Sequence, residues 1–68
     1  MKSLLVKLAT EASLNGLPAA TEPQIDFIVA LMARKNLSEK LFSGSTMLTK
    51  RGASNFIDEI KLMNAGIV

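Results

Sequence analysis

Thr21-Glu22-Pro23-Gln24-Ile25 and Leu48-Thr49-Lys50-Arg51-Gly52-Ala53-Ser54 decide the fold of this chain. Each stretch puts a threonine where a helix N-cap belongs and follows it with apolar residues at helical spacing. In the first, Gln24 stands three residues after Thr21, which makes a capping box. Pro23 falls in the first turn, where its missing N–H does no harm. In the second, Leu48 precedes the cap and can staple onto Ala53. Two helix starts are therefore written plainly, with a polar loop between them.

Working outward, the helix that opens at Thr21 carries Ile25, Ile28, Val29 and Met32 at i, i+3, i+4 and i+7. Phe27, Leu31 and alanines fill much of the remaining circumference. A helix apolar nearly all round is covered from more than one side. The third helix is expected on one side, and the first helix or a second copy of the protein on the other. Arg34 and Lys35 suit the negative end of the helix dipole, and Asn36 can take the left-handed cap. The helix that starts at Thr49 buries Ala53, Phe56, Ile57, Ile60 and Met63 and ends at Asn64-Ala65-Gly66. Upstream, about Ser3 to Leu14 forms a first helix with Leu4, Leu5, Leu8, Ala9 and Ala12 in one stripe and Lys7 and Glu11 opposite. Asn15-Gly16 stops it, and Leu17-Pro18-Ala19-Ala20 connects it onward. From Leu37 to Leu48 the periodicity fails. Ser38 to Phe42 makes one helical turn, with Leu37, Leu41 and Phe42 reaching toward the core, and Ser43-Gly44-Ser45 is loop. The expected fold is all-α: three short helices, the second and third forming a helix–extended loop–helix core. The chain reads as one domain, with 1–20 as N-terminal helix and connector and 21–66 as the helix–loop–helix module.

Bulk properties narrow the function. A chain of 68 residues buries only about 60% of the surface its unfolded form exposes, so its stability is modest. It has no cysteine and no histidine, so neither disulfides nor an ordinary zinc site can staple it. Hydrophobic residues make up 49%, too many for a disordered chain. Met1-Lys2-Ser3-Leu4-Leu5-Val6-Lys7 begins like a signal peptide, but Lys7 and Glu11 interrupt the apolar run. No stretch approaches the roughly 18 apolar residues of a membrane span. The chain reads as soluble and intracellular.

Lacking His and Cys, the chain lacks the usual general base and nucleophile, and no glycine-rich motif cradles a phosphate. The carboxylates Glu22 and Asp26, one turn apart, and the neighbours Asp58 and Glu59 read as solvated surface. Neither an enzyme nor a cofactor is expected. Charge is the more informative feature. Within 33–52, Arg34, Lys35, Lys40, Lys50 and Arg51 face Glu39 alone, a local balance of +4, whereas the rest of the chain balances at −2. If the second and third helices are antiparallel neighbours, Arg34-Lys35 and Lys50-Arg51 meet at one end. The backbone N–H groups and the Thr49 hydroxyl at the third helix's start would then complete a phosphate site, with Ser54 and Asn55 one turn on. Arg34-Lys35 has a plain alternative in the helix dipole. Lys50-Arg51 does not, because cations at a helix N-terminus are mildly unfavourable. Aromatic interleaving is poor: Phe27, Phe42 and Phe56 read as core, and only Phe42, beside the loop, is a candidate platform for a base. Met32, Met47 and Met63 read as core fillers.

Together, Thr21-Glu22-Pro23-Gln24-Ile25-Asp26-Phe27-Ile28 and Leu48-Thr49-Lys50-Arg51-Gly52-Ala53-Ser54-Asn55-Phe56-Ile57-Asp58-Glu59-Ile60 resemble a small module of bacteriophage proteins. Its pattern is T-x-x-Q-I-x-[FY]-I, a variable loop, then L-T-K-x-x-A-S-x-[LF]-I-D-x-[LI]. The module is similar to SAP-like helix–extended loop–helix domains, which accompany phage single-strand annealing, helicase and other DNA-metabolism proteins. The match covers about Thr21 to Met63. Gly52 departs from it, standing where members carry a charged helix former; Gly weakens a helix by about 1 kcal/mol relative to Ala. Drift in a tolerant first turn explains that, as does close approach of a backbone or phosphate.

The resemblance implies a non-enzymatic accessory protein in the cytoplasm of a phage-infected bacterial host. It places DNA-backbone contact on Lys50, Arg51 and Thr49, and the charge pattern adds Arg34, Lys35 and Lys40. With four or five usable cations, log K should fall with log salt at a slope of about −3 to −5. The competing reading is a protein-docking module, bound to a host or phage DNA-metabolism enzyme or to itself. In that reading the Leu4, Leu5, Leu8 stripe is detachable and offered as a helix-in-groove ligand.

Overall fold

The computed structural model describes residues 1–62. It contains α1 (Lys2–Leu14), α2 (Glu22–Arg34), a single 3-10 turn (Glu39–Phe42) and α3 (Lys50–Leu62). The protein is a small all-α bundle in which α2 and α3 form the most extensively packed pair and α1 covers α2. The expected contribution of Met63 and the stop at Asn64-Ala65-Gly66 lie outside the described residues.

Each helix end follows from local chemistry. The Thr21 hydroxyl accepts from the Gln24 N–H at 3.2 Å, and the Gln24 Oε1 accepts from the Thr21 N–H at 2.9 Å, closing the capping box. At the start of α3 the Thr49 Oγ1 accepts from the Gly52 N–H at 2.9 Å. A Cβ on Gly52 would lie 3.0 Å from that same oxygen, a tight contact that a small shift relieves, as Gln24 shows at the equivalent position of α2. Gly16 (φ 75) closes α1: the Leu17 N–H donates to the Ala12 carbonyl and the Gly16 N–H to the Ser13 carbonyl. Asn36 (φ 54) repeats the pattern for α2, with Leu37 N–H to Met32 O and Asn36 N–H to Ala33 O. Both are Schellman closures.

The core is continuous across all three helices. Leu5, Ile28, Met32 and Ile60 are the largest fully enclosed side chains, joined by Leu8, Ala9, Phe42, Leu48 and Ala53. The α1 stripe is therefore part of the core. Leu48 and Ala53 are both buried, as a staple requires. Phe42 packs its ring against Phe56, with centroids 4.5 Å apart. Two residues expected inside are not: Leu41 is 45% exposed and Phe27 44% exposed. Leu41 turns outward because the 3-10 turn buries Phe42 and has room to bury only one side chain of the pair. Phe27 lies beside the α2–α3 seam rather than beneath it.

The connector between α1 and α2 is tied down by the backbone. Ala19 and Thr49 form an isolated antiparallel bridge. The Ala20 N–H donates to Leu48 O, the Lys50 N–H to Pro18 O and the Leu48 N–H to Leu8 O, at 2.8 to 3.1 Å. Buried Leu48 is thereby fixed to both α1 and the connector, which sets where α3 begins.

Candidate nucleic-acid interface

Two long-range hydrogen bonds fix how α2 and α3 lie together. The Gln24 amide nitrogen, in the first turn of α2, donates to the Lys50 carbonyl at the start of α3 (3.1 Å). The Lys35 ammonium, at the end of α2, donates to the Lys61 carbonyl near the end of α3 (3.1 Å). Both pairs are 26 residues apart, so starts meet starts and ends meet ends. The helices are parallel.

That corrects the expected basic cluster. Parallel helices of 13 residues hold Arg34-Lys35 and Lys50-Arg51 at opposite ends of the pair, about 18 Å apart at 1.5 Å per residue. Lys40 does not join Lys50 either, for its neighbour Glu39 lies 4.0 Å from the Met1 ammonium, at the opposite end of α1 from the connector. Of the six expected residues, Thr49, Lys50 and Arg51 come together, whereas Arg34, Lys35 and Lys40 do not. Lys35 instead satisfies a carbonyl near the C-terminal end of α3, where the dipole favours a cation.

What forms around Thr49-Lys50-Arg51 is an open groove of about 850 Å3. Leu17 and Pro18 of the connector make its apolar wall. Gln24, Ser54 and Asn55 give it hydrogen-bonding side chains, and Lys50 and Arg51 stand exposed along it. Among the described residues no carboxylate lines it. Glu22 and Asp26 belong to the α1 side of α2: Asp26 pairs with the Lys2 ammonium at 2.8 Å, and Glu22 adds to the field there. The hydrogen bond from Lys2 to Asp26 holds the Lys2 amine above its ordinary value of 10.5.

The backbone at the start of α3 has less to give than expected. Lys50 N–H is used by Pro18 O and Gly52 N–H by the Thr49 hydroxyl oxygen, so the N–H of Arg51 is the one in the first turn left for an anion. The Thr49 hydroxyl hydrogen remains available as a donor. Phe42 is also withdrawn as a stacking platform, since it is 4% exposed and its ring is occupied by Phe56.

Another aromatic, one that the sequence hid, is left open instead. Phe27 is half-exposed, and the Lys61 ammonium, counted outside the basic cluster on charge alone, lies 5.6 Å from its ring centre. The signal was present in the spacing: Gln24, Phe27, Leu31 and Lys35 make one stripe of α2, and Lys50, Ser54, Ile57 and Lys61 the facing stripe of α3.

Comparison of the chain with protein-family models, with curated proteins and with solved structures finds no match. The likeness to SAP-like modules therefore rests on the motif residues themselves. Among the described residues no helix is long and apolar enough to cross a membrane.

Proposed function

We propose that this protein is a non-enzymatic accessory module that binds the phosphate backbone of nucleic acid, DNA in the phage setting its motif implies, through the start of α3. One observation carries the reading. Lys50 and Arg51 sit exposed in the first turn of a helix, where the dipole disfavours cations, beside a groove whose lining includes Gln24, Ser54 and Asn55 but no carboxylate. An arrangement unfavourable to the isolated protein is favourable once an anion arrives. Ser54 and Asn55 then orient the phosphate, and Lys50 and Arg51 neutralise it.

The test is fluorescence anisotropy of labelled oligonucleotides at several salt concentrations. With two cations at the groove rather than four or five, log K falls with log salt at a slope of about −2 on duplex. Reversal of both charges (Lys50→Glu with Arg51→Glu) abolishes binding. Binding as tight as the parent's in that variant overturns the reading.

Protein docking or self-association, the competing reading, keeps a smaller surface than expected. Leu5, Leu8, Ala9 and Ala12 are enclosed, so among the described residues the exposed large apolar side chains are Val6 and Leu14 on α1, Leu17 in the connector, and Phe27, Leu41 and Leu62, scattered over the rest of the molecule. Sedimentation velocity across a concentration series separates the two readings: a monomer throughout favours the nucleic-acid reading over self-association.

A further inference from the structure

The α2–α3 seam carries more than the groove at its head. Helical spacing puts Lys50 and Lys61 on one face of α3; the Gln24 link sets the Lys50 backbone at one end of the seam, and the Lys61 ammonium lies over Phe27 further along it. The two lysines are separated by about 16 Å of helix at 1.5 Å per residue. Phe27 is 44% exposed, so a substantial part of the ring is open to solvent. The Gln24 and Lys35 links tie α2 to α3 on either side of it, and so the ring and the backbone that carries the two lysines are positioned before any ligand arrives.

From this strip we infer that the ligand is a single strand, laid along the seam with one unpaired base stacked on Phe27 and its phosphates on Lys50 and Lys61. The inference rests on the backbone-binding reading above and deepens it. An aromatic flanked by cations along a track is what a single strand requires, because every unpaired base has a free face. A duplex can satisfy the cations but hides its base faces in its own stack, leaving the ring without a partner. The Lys61 ammonium now over the ring is held by an exposed cation–π contact, which is weaker than base stacking. An arriving base therefore displaces it, and its flexible stem carries it to the adjacent phosphate. Asp26, next to Phe27 in sequence, is turned to the α1 side of α2, where it pairs with the Lys2 ammonium at 2.8 Å.

The experiment compares a labelled thymidine strand of about 12 nucleotides, within the usual site sizes, with a duplex of the same length. Parent, Phe27→Ala and Phe27→Leu proteins are titrated with each. The parent is expected to prefer the single strand by about tenfold, one stacked base's worth, and both variants to lose that preference while holding the duplex as before. Phe27→Leu keeps the apolar bulk, so a loss in it reports the ring and not the fold. Equal or tighter duplex binding by the parent overturns the inference, as does a preference that survives in both variants. In either case the backbone reading stands if the Lys50/Arg51 reversal still removes duplex binding. A parent protein that binds neither form overturns both.

Discussion

At the scale of single residues, Lys50 and Arg51 are where stability and function pull apart. Each cation in the first turn of α3 opposes the positive end of the helix dipole, at a cost of about 0.3–1 kcal/mol apiece. Replacing both with Glu removes that opposition and adds attraction. The double reversal is therefore expected to raise the unfolding free energy by about 1 kcal/mol while binding is lost, measured by urea denaturation alongside anisotropy. A reversal that destabilised the protein would show that the two cations serve the fold. Gly52 belongs to the same turn, where an added Cβ would meet the Thr49 hydroxyl oxygen at 3.0 Å.

Among the elements, Gln24 has two tasks with its two amide atoms. Its oxygen caps α2 through the Thr21 N–H, and its nitrogen ties α2 to α3 through the Lys50 carbonyl. Thr21→Ala should cost about 1 kcal/mol, the usual value of an N-cap. Gln24→Ala should cost more than Thr21→Ala, because it removes the interhelix bond as well. In the double mutant the two costs should fall short of their sum, since each of the two bonds of the box helps to hold the other in place. Urea midpoints for the three variants check this, and strict additivity would mean that the two bonds of the box act independently.

The caps were legible in the sequence because a cap is a local event, decided within three or four residues of Thr21, Gly16, Asn36 or Thr49. The direction in which α3 runs was not. The stretch from Lys35 to Thr49 is long enough to turn back sharply or to retrace about 18 Å of helix, since an extended chain covers about 3.3 Å per residue. One clue was available: Leu37, Phe42 and Leu48 are spread through the loop, and all three pack with the core. A loop that recrosses the length of a helix needs such anchors, whereas a tight hairpin needs none. The misplaced convergence of Arg34-Lys35 with Lys50-Arg51 followed from missing that clue. Phe27 was hidden for another reason: on a helix apolar nearly all round, spacing cannot say which apolar residue is left half outside.

On the scale of the whole molecule, α1 decides whether there is a domain at all. The surface contributes little. The pair between Lys2 and Asp26 is half-exposed on both sides, and such pairs are weak. Because the Lys2 amine is raised above 10.5, that contribution is complete at neutral pH and disappears only as the pH climbs past its raised value. The core is another matter. Leu5 and Ala12 are fully enclosed, Leu8 and Ala9 nearly so, and the Leu8 carbonyl receives the Leu48 N–H that positions the start of α3. Deleting residues 1–16 would uncover Ile25 and Ile28 and leave a buried N–H without its partner. A single Leu→Ala change in a core costs about 2–5 kcal/mol, and domains in general have only about 5–15 kcal/mol in hand, the smallest least. Losing four core residues together exceeds that reserve. The truncated chain is therefore expected to show no cooperative melt by circular dichroism, and Leu5→Ala in the full chain to lower the midpoint sharply while leaving a cooperative transition. If the truncated chain instead melts cooperatively as a monomer near the parent's midpoint, α2, the loop and α3 are self-sufficient, and α1 is released for the docking role that its burial here denies it.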